Sequence, residues 1–269
     1  MLRLGIIEHL YAQPLFHRLV EQAKGVSPPF ELLRSRQTGT GTLAVELRQK
    51  RLDGAFLSPI DYAKDYAMYR VVQGVGAVSR GESGTIGLLF KENLRGIETL
   101  AVDVVSTSEI VLAHLILKEK YGVAPQIVPV SGLAEDSLKK ADAMLLVGDA
   151  ALAMSRKSNK IDLVDEWTDL TGLPYVHGFW VTRKAGLTAV QTNYLIESAE
   201  AGKNNIENII PSSELEYIGQ FKYDLNDEAL DAMGELFHMA YYHGILKDIP
   251  NVRFHGVGDE PLPPSVILN

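Results

Sequence analysis

Short apolar runs alternate with segments of helical spacing over the first two thirds of the chain. A run of this kind, closed by glycine, proline or polar residues, is typical of a buried strand. The predicted strands cover residues 4–7, 54–57, 71–79, 85–90, 100–102, 126–130, 143–147 and 175–181.

Apolar residues at helical spacing predict the helices. The first begins near Pro14, carries Leu15 and Leu19 on one face and ends at Gly25, because proline suits a first turn and glycine a C-terminus. The other predicted helices lie near residues 43–50, 106–121, 135–140, 187–209, 213–218 and 226–245. Strands that alternate with helices predict an α/β fold, with mainly parallel sheets covered by helices.

The order of the elements predicts two lobes. Residues 1–92 and 182–269 form a discontinuous outer lobe, and residues 93–181 form a lobe inserted into it. Two chain crossings then join the lobes, near residues 90–94 and 180–183. Clefts between lobes are preferred ligand sites, so we expect the functional site in this cleft.

The composition of the chain excludes several classes of function and of site. The 269 residues carry a formal net charge of −8 and no long Lys/Arg cluster, so we expect no nucleic-acid partner. The absence of cysteine excludes disulfides and thiolate metal sites. His238 and His243 lack the i, i+4 spacing and the acidic partners of a metal site, so no metal is expected.

The sequence also bears on location. Its N-terminus enters an apolar strand at once, without the pattern of a leader, and no later run has the apolar length of a membrane span. If Met1 is the natural start, we expect a cytoplasmic protein without a membrane partner. The sequence leaves the oligomeric state open.

A cluster of hydroxyl side chains, Ser106-Thr107-Ser108, lies where a strand turns into a helix. Free N–H groups and the positive end of the helix dipole attract carboxylate or phosphate at such a place, and hydroxyls add hydrogen bonds. These three residues are therefore candidate ligands for an anion. In the alternative interpretation, Ser108 caps the helix and binds no ligand.

Glu8 and His9 follow the first predicted strand, at the end where parallel sheets open toward ligands. Histidine titrates near neutral pH and is a candidate acid or base. Because side chains alternate along a strand, we expect only one of the two to face the cleft. The alternative is a hydrogen-bonded loop histidine and a solvated glutamate.

Two further polar residues have competing interpretations. His177 is a candidate anion contact, but a histidine between Tyr175 and Phe179 is at least as often a packed interior residue. Asp149 follows Gly148 before a predicted helix. We expect Asp149 to fix the turn or cap that helix, since aspartate at a helix start needs no catalytic explanation.

Several phrases occur together in an order that resembles the chorismate dehydratase family of the futalosine route to menaquinone. The phrases are Ala12-Gln13-Pro14-Leu15, Leu52-Asp53-Gly54-Ala55, Ser58-Pro59-Ile60-Asp61-Tyr62, Asp103 through Ser108, Leu145-Leu146-Val147-Gly148-Asp149-Ala150-Ala151-Leu152, and Trp167 with Thr171-Gly172-Leu173-Pro174-Tyr175-Val176 and Trp180. A sister enzyme later in the pathway shares the fold, but the Gly148-Asp149-Ala150 run is more similar to the dehydratase branch.

The resemblance implies a two-lobed fold of the type II periplasmic binding proteins and a lyase that removes water from chorismate without a cofactor. The family's substrate-facing asparagine corresponds to Tyr11, and its cleft serine corresponds to Thr85. Tyr11, Thr85, His9 and Glu8 are therefore the candidate catalytic residues, and Ser106, Thr107, Ser108 and His177 the candidate substrate-binding residues. The implied partner is a small carboxylate metabolite.

Departures from the family pattern keep two alternatives open. The family usually has Ser-Tyr-Leu-Asn where this chain has Glu8-His9-Leu10-Tyr11, and Glu109 stands where a hydroxyl is common. The first alternative is a non-catalytic protein that captures a small carboxylate for transport or sensing. The second is a related lyase of altered specificity.

Overall fold

The computed structural model describes residues 1–35, 39–92, 96–103, 107–130, 134–154, 159–184 and 186–256. The strands within them are β1 Leu2–Ile7, β2 Phe30–Ser35, β3 Gly54–Leu57, β4 Tyr69–Ser79, β5 Ile86–Phe90, β6 Thr99–Val102, β7 Gln126–Pro129, β8 Ala143–Val147, β9 Lys160–Asp162 and β10 Tyr175–Arg183.

The helices are α1 Gln13–Ala23, α2 Thr40–Arg48, α3 Pro59–Lys64, α4 Thr107–Tyr121, α5 Ala134–Leu138, α6 Asp149–Ala153, α7 Leu163–Thr171, α8 Ala189–Lys203, α9 Ile206–Ile209, α10 Leu215–Ile218 and α11 Asp227–Tyr242. Short 3-10 turns cover Leu10–Ala12, Tyr66–Met68 and Ser212–Glu214. No helix in the described ranges is both long and apolar enough to cross a membrane.

Two five-stranded sheets form the two lobes. The first has the order β2-β1-β3-β10-β4, and the second has the order β7-β6-β8-β5-β9. The α/β prediction is confirmed, but each sheet is mixed rather than mainly parallel. In the first sheet β1 pairs parallel with β2 and β3, whereas β10 pairs antiparallel with β3 and β4. The second sheet repeats this arrangement, with β5 as its antiparallel strand.

Sheet membership corrects the predicted lobe boundaries of 1–92, 93–181 and 182–269. Strand β5 belongs to the second sheet because it pairs with β8 and β9. Strand β10 belongs to the first sheet because it lies between β3 and β4. The chain therefore crosses between the sheets at residues 80–85 and 172–174, and not near 90–94 and 180–183 as predicted.

Local signals explain where several elements begin and end. The Asp162 side chain accepts hydrogen bonds from the N–H groups of Val164 and Asp165, and so starts α7. Thr188 and Gln191 form a capping box at the start of α8. The predicted helix over 187–209 is interrupted at Asn204 and Asn205, which separate α8 from α9.

Burial shows which strand lies at the centre of the first lobe. Every residue of β10 is buried except Arg183, which is partly exposed. A strand with neighbours on both edges and packed layers on both faces has little contact with water, so it is apolar almost throughout. A continuous apolar core extends from this strand through both lobes.

Candidate functional site

Hydroxyl groups join the two lobes where α3 of the first meets α4 of the second. Ser108 Oγ accepts a hydrogen bond from the N–H of Ile60 at 3.1 Å and donates to Ser58 Oγ at 2.8 Å. Thr107 Oγ1 donates to Asp61 Oδ1 at 2.9 Å. Thr40 Oγ1 lies 2.6 Å from the other carboxylate oxygen of Asp61. We call these five residues, Thr40, Ser58, Asp61, Thr107 and Ser108, the hydroxyl bridge.

The hydroxyl bridge engages two of the predicted anion contacts within the protein. Thr107 and Ser108 bind groups of the opposite lobe, and Ser108 satisfies an N–H in the first turn of α3. Asp61, which accepts from Thr107, is ion-paired with Lys64 at 3.1 Å. The anion-binding role of Thr107 and Ser108 stays a prediction. Ser106, the third member of the predicted set, lies outside the described residues, so its role remains a prediction.

A second contact between the lobes joins the end of β1 to the start of α6. The N–H of Leu10 donates to Asp149 Oδ1 at 2.9 Å, and His9 Nδ1 lies 3.9 Å from the same oxygen. Gly148, and not Asp149, is the N-cap residue of α6, and the Asp149 carboxylate holds the turn against the other lobe. Burial lowers the pKa of His9, and the charge of Asp149 partly opposes that shift.

Gly148 permits the close approach of the lobes at this contact. Its φ of 62° and ψ of −133° lie in a region that side-chain-bearing residues rarely adopt. A Cβ atom on Gly148 would lie 2.1 Å from His9 Nδ1. The turn therefore requires glycine both for its backbone and for its contact with the imidazole.

Glu8 and His9, the two residues that follow β1, point in different directions. His9 packs against Gly148 of the second lobe. Glu8 forms an ion pair with Arg34, at 3.5 Å, and lines a cavity of about 390 Å³ beside α1. The structure thus places His9, and not Glu8, between the lobes.

Tyr11 is buried among aromatic rings behind His9. Its ring stacks on His9 and on Phe221, with centroid distances of 5.7 and 5.4 Å, and lies 5.0 Å from the ring of His177. Burial raises the pKa of Tyr11 well above its usual value, and the charges of Glu109 and Asp149 raise it further. Tyr11 is therefore a neutral phenol at the lobe junction.

The environment of His177 favours the packed alternative. Its Nε2 lies 2.8 Å from Ser79 Oγ, and its ring contacts Tyr11, Tyr175 and Phe221. Burial lowers the pKa of His177 to about 3, so the ring is neutral near pH 7. It brings no positive charge to an anion.

Thr85 lies beneath the Gly148 turn. Its carbonyl accepts the N–H of Gly148 at 2.7 Å, and its hydroxyl lies 2.9 Å from Ser83 Oγ. Since Thr85 is fully buried, its hydroxyl is engaged inside the second lobe rather than displayed on a surface. Thr85 therefore supports the turn that carries Gly148 and Asp149.

The structure adds two residues that sequence reasoning did not select, Glu109 and Tyr175. Glu109 lies in the first turn of α4 and is only 8% exposed. Burial, with a smaller contribution from the charge of Asp61, raises its pKa to about 7 against the opposing effect of a backbone hydrogen bond. Tyr175 begins β10, and its hydroxyl is buried without a hydrogen-bond partner among the described residues.

A sequence signal for Glu109 was available in the helical spacing. Glu109, Leu112 and Ile116 stand at i, i+3 and i+7, and all three are buried. A carboxyl group on the buried face of a helix is uncommon and often marks a functional site. Tyr175 gave no comparable signal, because an aromatic residue in a buried strand is ordinary packing.

His243, which follows α11, contacts a carboxylate and a second histidine of α4. His243 Nε2 lies 2.7 Å from Glu119 Oε1, and its ring packs on the edge of His114. The described part of the chain holds no group of three His, Asp or Glu residues arranged for a metal ion.

Comparison with known proteins identifies both a family and a fold. A family model described as menaquinone biosynthesis matches residues 2–242. The solved structure of protein AF1704 from Archaeoglobus fulgidus is 17% identical, covers 91% of this chain and 98% of its own, and superposes with a TM-score of 0.67.

Two binding-protein folds are similar as well. The alkanesulfonate-binding protein SsuA from Xanthomonas axonopodis pv. citri, solved with MOPS, is 15% identical over 93% of this chain and 95% of its own, with a TM-score of 0.67. The CA3427 gene product of Candida albicans, described as having the generic periplasmic binding protein fold, is 13% identical over 95% and 98%, with a TM-score of 0.58. At these identities the likeness shows the fold alone, which is periplasmic-binding-protein-like.

Proposed function

Because this chain belongs to the menaquinone biosynthesis family, we propose that it is a lyase that dehydrates chorismate to 3-[(1-carboxyvinyl)oxy]benzoate. The family match carries the proposal, and the phrases shared with chorismate dehydratases select this reaction within the family. The futalosine route and the cytoplasmic location remain predictions.

The reaction is an elimination that leaves an aromatic ring. A ring C–H bond breaks, its electron pair enters the ring, and the C–O bond breaks as the hydroxyl leaves and becomes water. The step transfers no electrons to or from an external acceptor, and aromatisation drives it. Catalysis therefore needs positioning, a proton acceptor and a proton donor.

The lobe junction offers groups suited to these tasks. His9 lies between the lobes, and its lowered pKa makes the imidazole neutral and able to accept a proton near pH 7. The substrate's own carboxylate is the alternative acceptor. Tyr11, whose raised pKa keeps its phenol protonated, is the proposed hydrogen-bond donor that orients the ring.

The competing proposal is a non-catalytic binding protein for a small carboxylate. Its support is the shared fold with SsuA, a protein described as alkanesulfonate-binding. The aromatic packing of Tyr11, at the position of the family's asparagine, also agrees with a changed ligand or a related lyase of altered specificity.

Turnover of chorismate tests the proposal. Purified protein is incubated with chorismate while the loss of diene absorbance and the appearance of the aromatic product are followed. We expect turnover by the wild type, a fall in kcat of at least about 10-fold for Tyr11→Phe, and no change for Tyr242→Phe, a control at an exposed tyrosine. Absence of wild-type turnover, together with tight binding of another carboxylate in a thermal-shift panel, would replace the lyase by the binding protein.

A further inference from the structure

Glu109 and Tyr175 form a polar pair inside the lobe junction that the roles assigned above leave unused. Glu109 comes from α4 of the second lobe and Tyr175 from β10 of the first sheet. The two groups are close enough that the charge of Glu109 raises the pKa of Tyr175. The charge of the same carboxyl also raises the pKa of Tyr11, which lies in the 3-10 turn after β1.

The Tyr175 member of the pair lacks the partner that a structural role requires. Its hydroxyl is buried and has no hydrogen-bond partner within the described ranges. The Glu109 carboxyl is buried as well; it accepts a hydrogen bond from its own backbone N–H, which lowers its pKa, and no described Lys, Arg or His forms an ion pair with it. Buried polar groups are normally satisfied, so an unpartnered hydroxyl in the same junction as a buried carboxyl indicates a place where a ligand supplies the missing bond.

The charges around Glu109 and Tyr175 indicate which chemical group of a ligand fits beside them. The carboxyl of Asp61 in α3 faces Glu109, and Tyr11 and Tyr175 approach from the other elements as neutral phenols. His177, beside Tyr175, is neutral as well. Asp61 is ion-paired with Lys64 at 3.1 Å, so its charge opposes a carboxylate here only in part, whereas a neutral hydroxyl both donates and accepts hydrogen bonds among these neutral groups.

We propose that Glu109 and Tyr175 form the subsite for the hydroxyl group that leaves the substrate, and that Glu109 is the acid that protonates it. This inference rests on the proposed dehydration and adds the orientation of the substrate. The leaving hydroxyl points toward Glu109, and the carboxylates point away from Asp61.

The proton balance of the step is complete. The Glu109 carboxyl gives its proton to the hydroxyl oxygen as the C–O bond breaks with its electron pair on oxygen, and water leaves. His9 or the substrate carboxylate takes the ring proton, whose bonding pair becomes part of the aromatic ring. The proton then returns from that base, through water, to the Glu109 carboxylate. Tyr175 donates a hydrogen bond to the hydroxyl oxygen and holds it in place.

The protonation state of Glu109 agrees with this role. A carboxyl with a pKa of about 7 is partly protonated at neutral pH, whereas an ordinary glutamic acid is almost fully ionised. An acid is most effective when its pKa lies near the working pH. The dependence on pH follows: kcat falls as pH rises through about 7, because the acid form of Glu109 disappears.

The test compares Glu109→Gln with Glu119→Gln, the same change near the C-terminal end of the same helix. We expect kcat for chorismate to fall at least about 100-fold in Glu109→Gln, with a small change in KM. The residual activity of this variant lacks the decline above pH 7. Glu119→Gln keeps wild-type kinetics, and thermal unfolding verifies that both variants fold.

Tyr175→Phe provides a second test that does not depend on Glu109 variants. Removing an unpartnered hydroxyl leaves the fold intact, and we expect chorismate to bind about 5- to 10-fold more weakly. The aromatic product, which lacks the hydroxyl, binds both proteins equally. Equal weakening for both ligands would overturn the subsite.

The outcomes separate this inference from the function on which it rests. If the wild type turns over chorismate and Glu109→Gln keeps kcat within about threefold at every pH, the subsite is wrong and the dehydration stands. If the wild type does not turn over chorismate, both are wrong.

Discussion

At the scale of single residues, burial raises the pKa of the carboxyl group at the lobe junction and lowers the pKa of the imidazole there. Glu109 holds its proton more tightly than a free glutamic acid, and His177 holds its proton less tightly than a free histidine. Both shifts favour the neutral form, as desolvation dictates. The junction therefore presents neutral donors and acceptors near pH 7, with Asp61 and Asp149 at its edges.

The raised pKa of Glu109 predicts a pH-dependent cost to stability. The folded state binds this proton up to about pH 7, and the unfolded state only up to its usual pKa of 4.5. Stability therefore falls as pH rises between these values, because over this range the folded state still binds a proton that the unfolded state has released. Relative to the wild type, Glu109→Gln should gain about 2 to 3 kcal/mol between pH 5 and pH 8.

Denaturant unfolding at both pH values measures this difference. Glu119→Gln serves as the control, because Glu119 is partly exposed and bonded to His243. An equal pH dependence of wild type and Glu109→Gln would show that Glu109 is ionised in the folded protein throughout this range.

At the scale of elements, the turn between β8 and α6 sets how closely the lobes approach. We expect Gly148→Ala to destabilise the protein by at least about 2 kcal/mol more than Gly122→Ala. Both glycines have positive φ, but a Cβ atom on Gly122 would meet open space, whereas one on Gly148 would clash with His9. Thermal unfolding measures the difference, and equal effects of the two substitutions would show that His9 does not pack on Gly148.

The sequence predicts the positions of strands and helices better than it predicts which strands pair with one another. The apolar runs at β1, β3, β4, β5, β8 and β10 are long enough to be recognised, and the structure confirms them. Strand β2 and helix α3 were missed, because β2 buries only its end residues Phe30 and Ser35 and α3 spans only six residues. The lobe boundaries failed because the partners of β5 and β10 depend on pairing between distant residues.

Contacts between residues distant in the chain also limit what the sequence predicts about the candidate site. The expectation that only one of Glu8 and His9 faces the other lobe agrees with the structure, although β1 ends at Ile7 and both residues lie beyond it. The hydroxyls of Thr107 and Ser108 gave the pattern of an anion site, but the groups that occupy them belong to α3, about fifty residues earlier in the chain. No local pattern shows which distant side chain satisfies a hydroxyl.

At the scale of the whole molecule, hydrogen bonds at several places join the lobes, and two of these places border the candidate site. The hydroxyl bridge joins α3 to α4, and Asp149 joins α6 to the N–H of Leu10. The side chains of the junction pack on one another, so the proposed subsite requires the lobes to separate before a substrate reaches Glu109 and Tyr175. We therefore expect these contacts to influence the opening of the cleft.

Asp149→Ala tests this link between the lobes. It removes the acceptor for the Leu10 N–H, so we expect a loss of about 1 kcal/mol of stability and a larger radius of gyration by X-ray scattering. Asp149→Asn keeps an oxygen acceptor and should retain the wild-type radius. A radius unchanged in Asp149→Ala would mean that this contact does not hold the lobes together.

The central claim is that the chemistry takes place at the lobe junction, and a crystal structure with the aromatic product bound tests it most directly. We expect the product to lie between His9 and Tyr11 on one side and Glu109 and Tyr175 on the other, with its carboxylates directed away from Asp61. Product bound instead in the cavity beside Glu8 and Arg34, with the junction closed as it is here, would contradict the account.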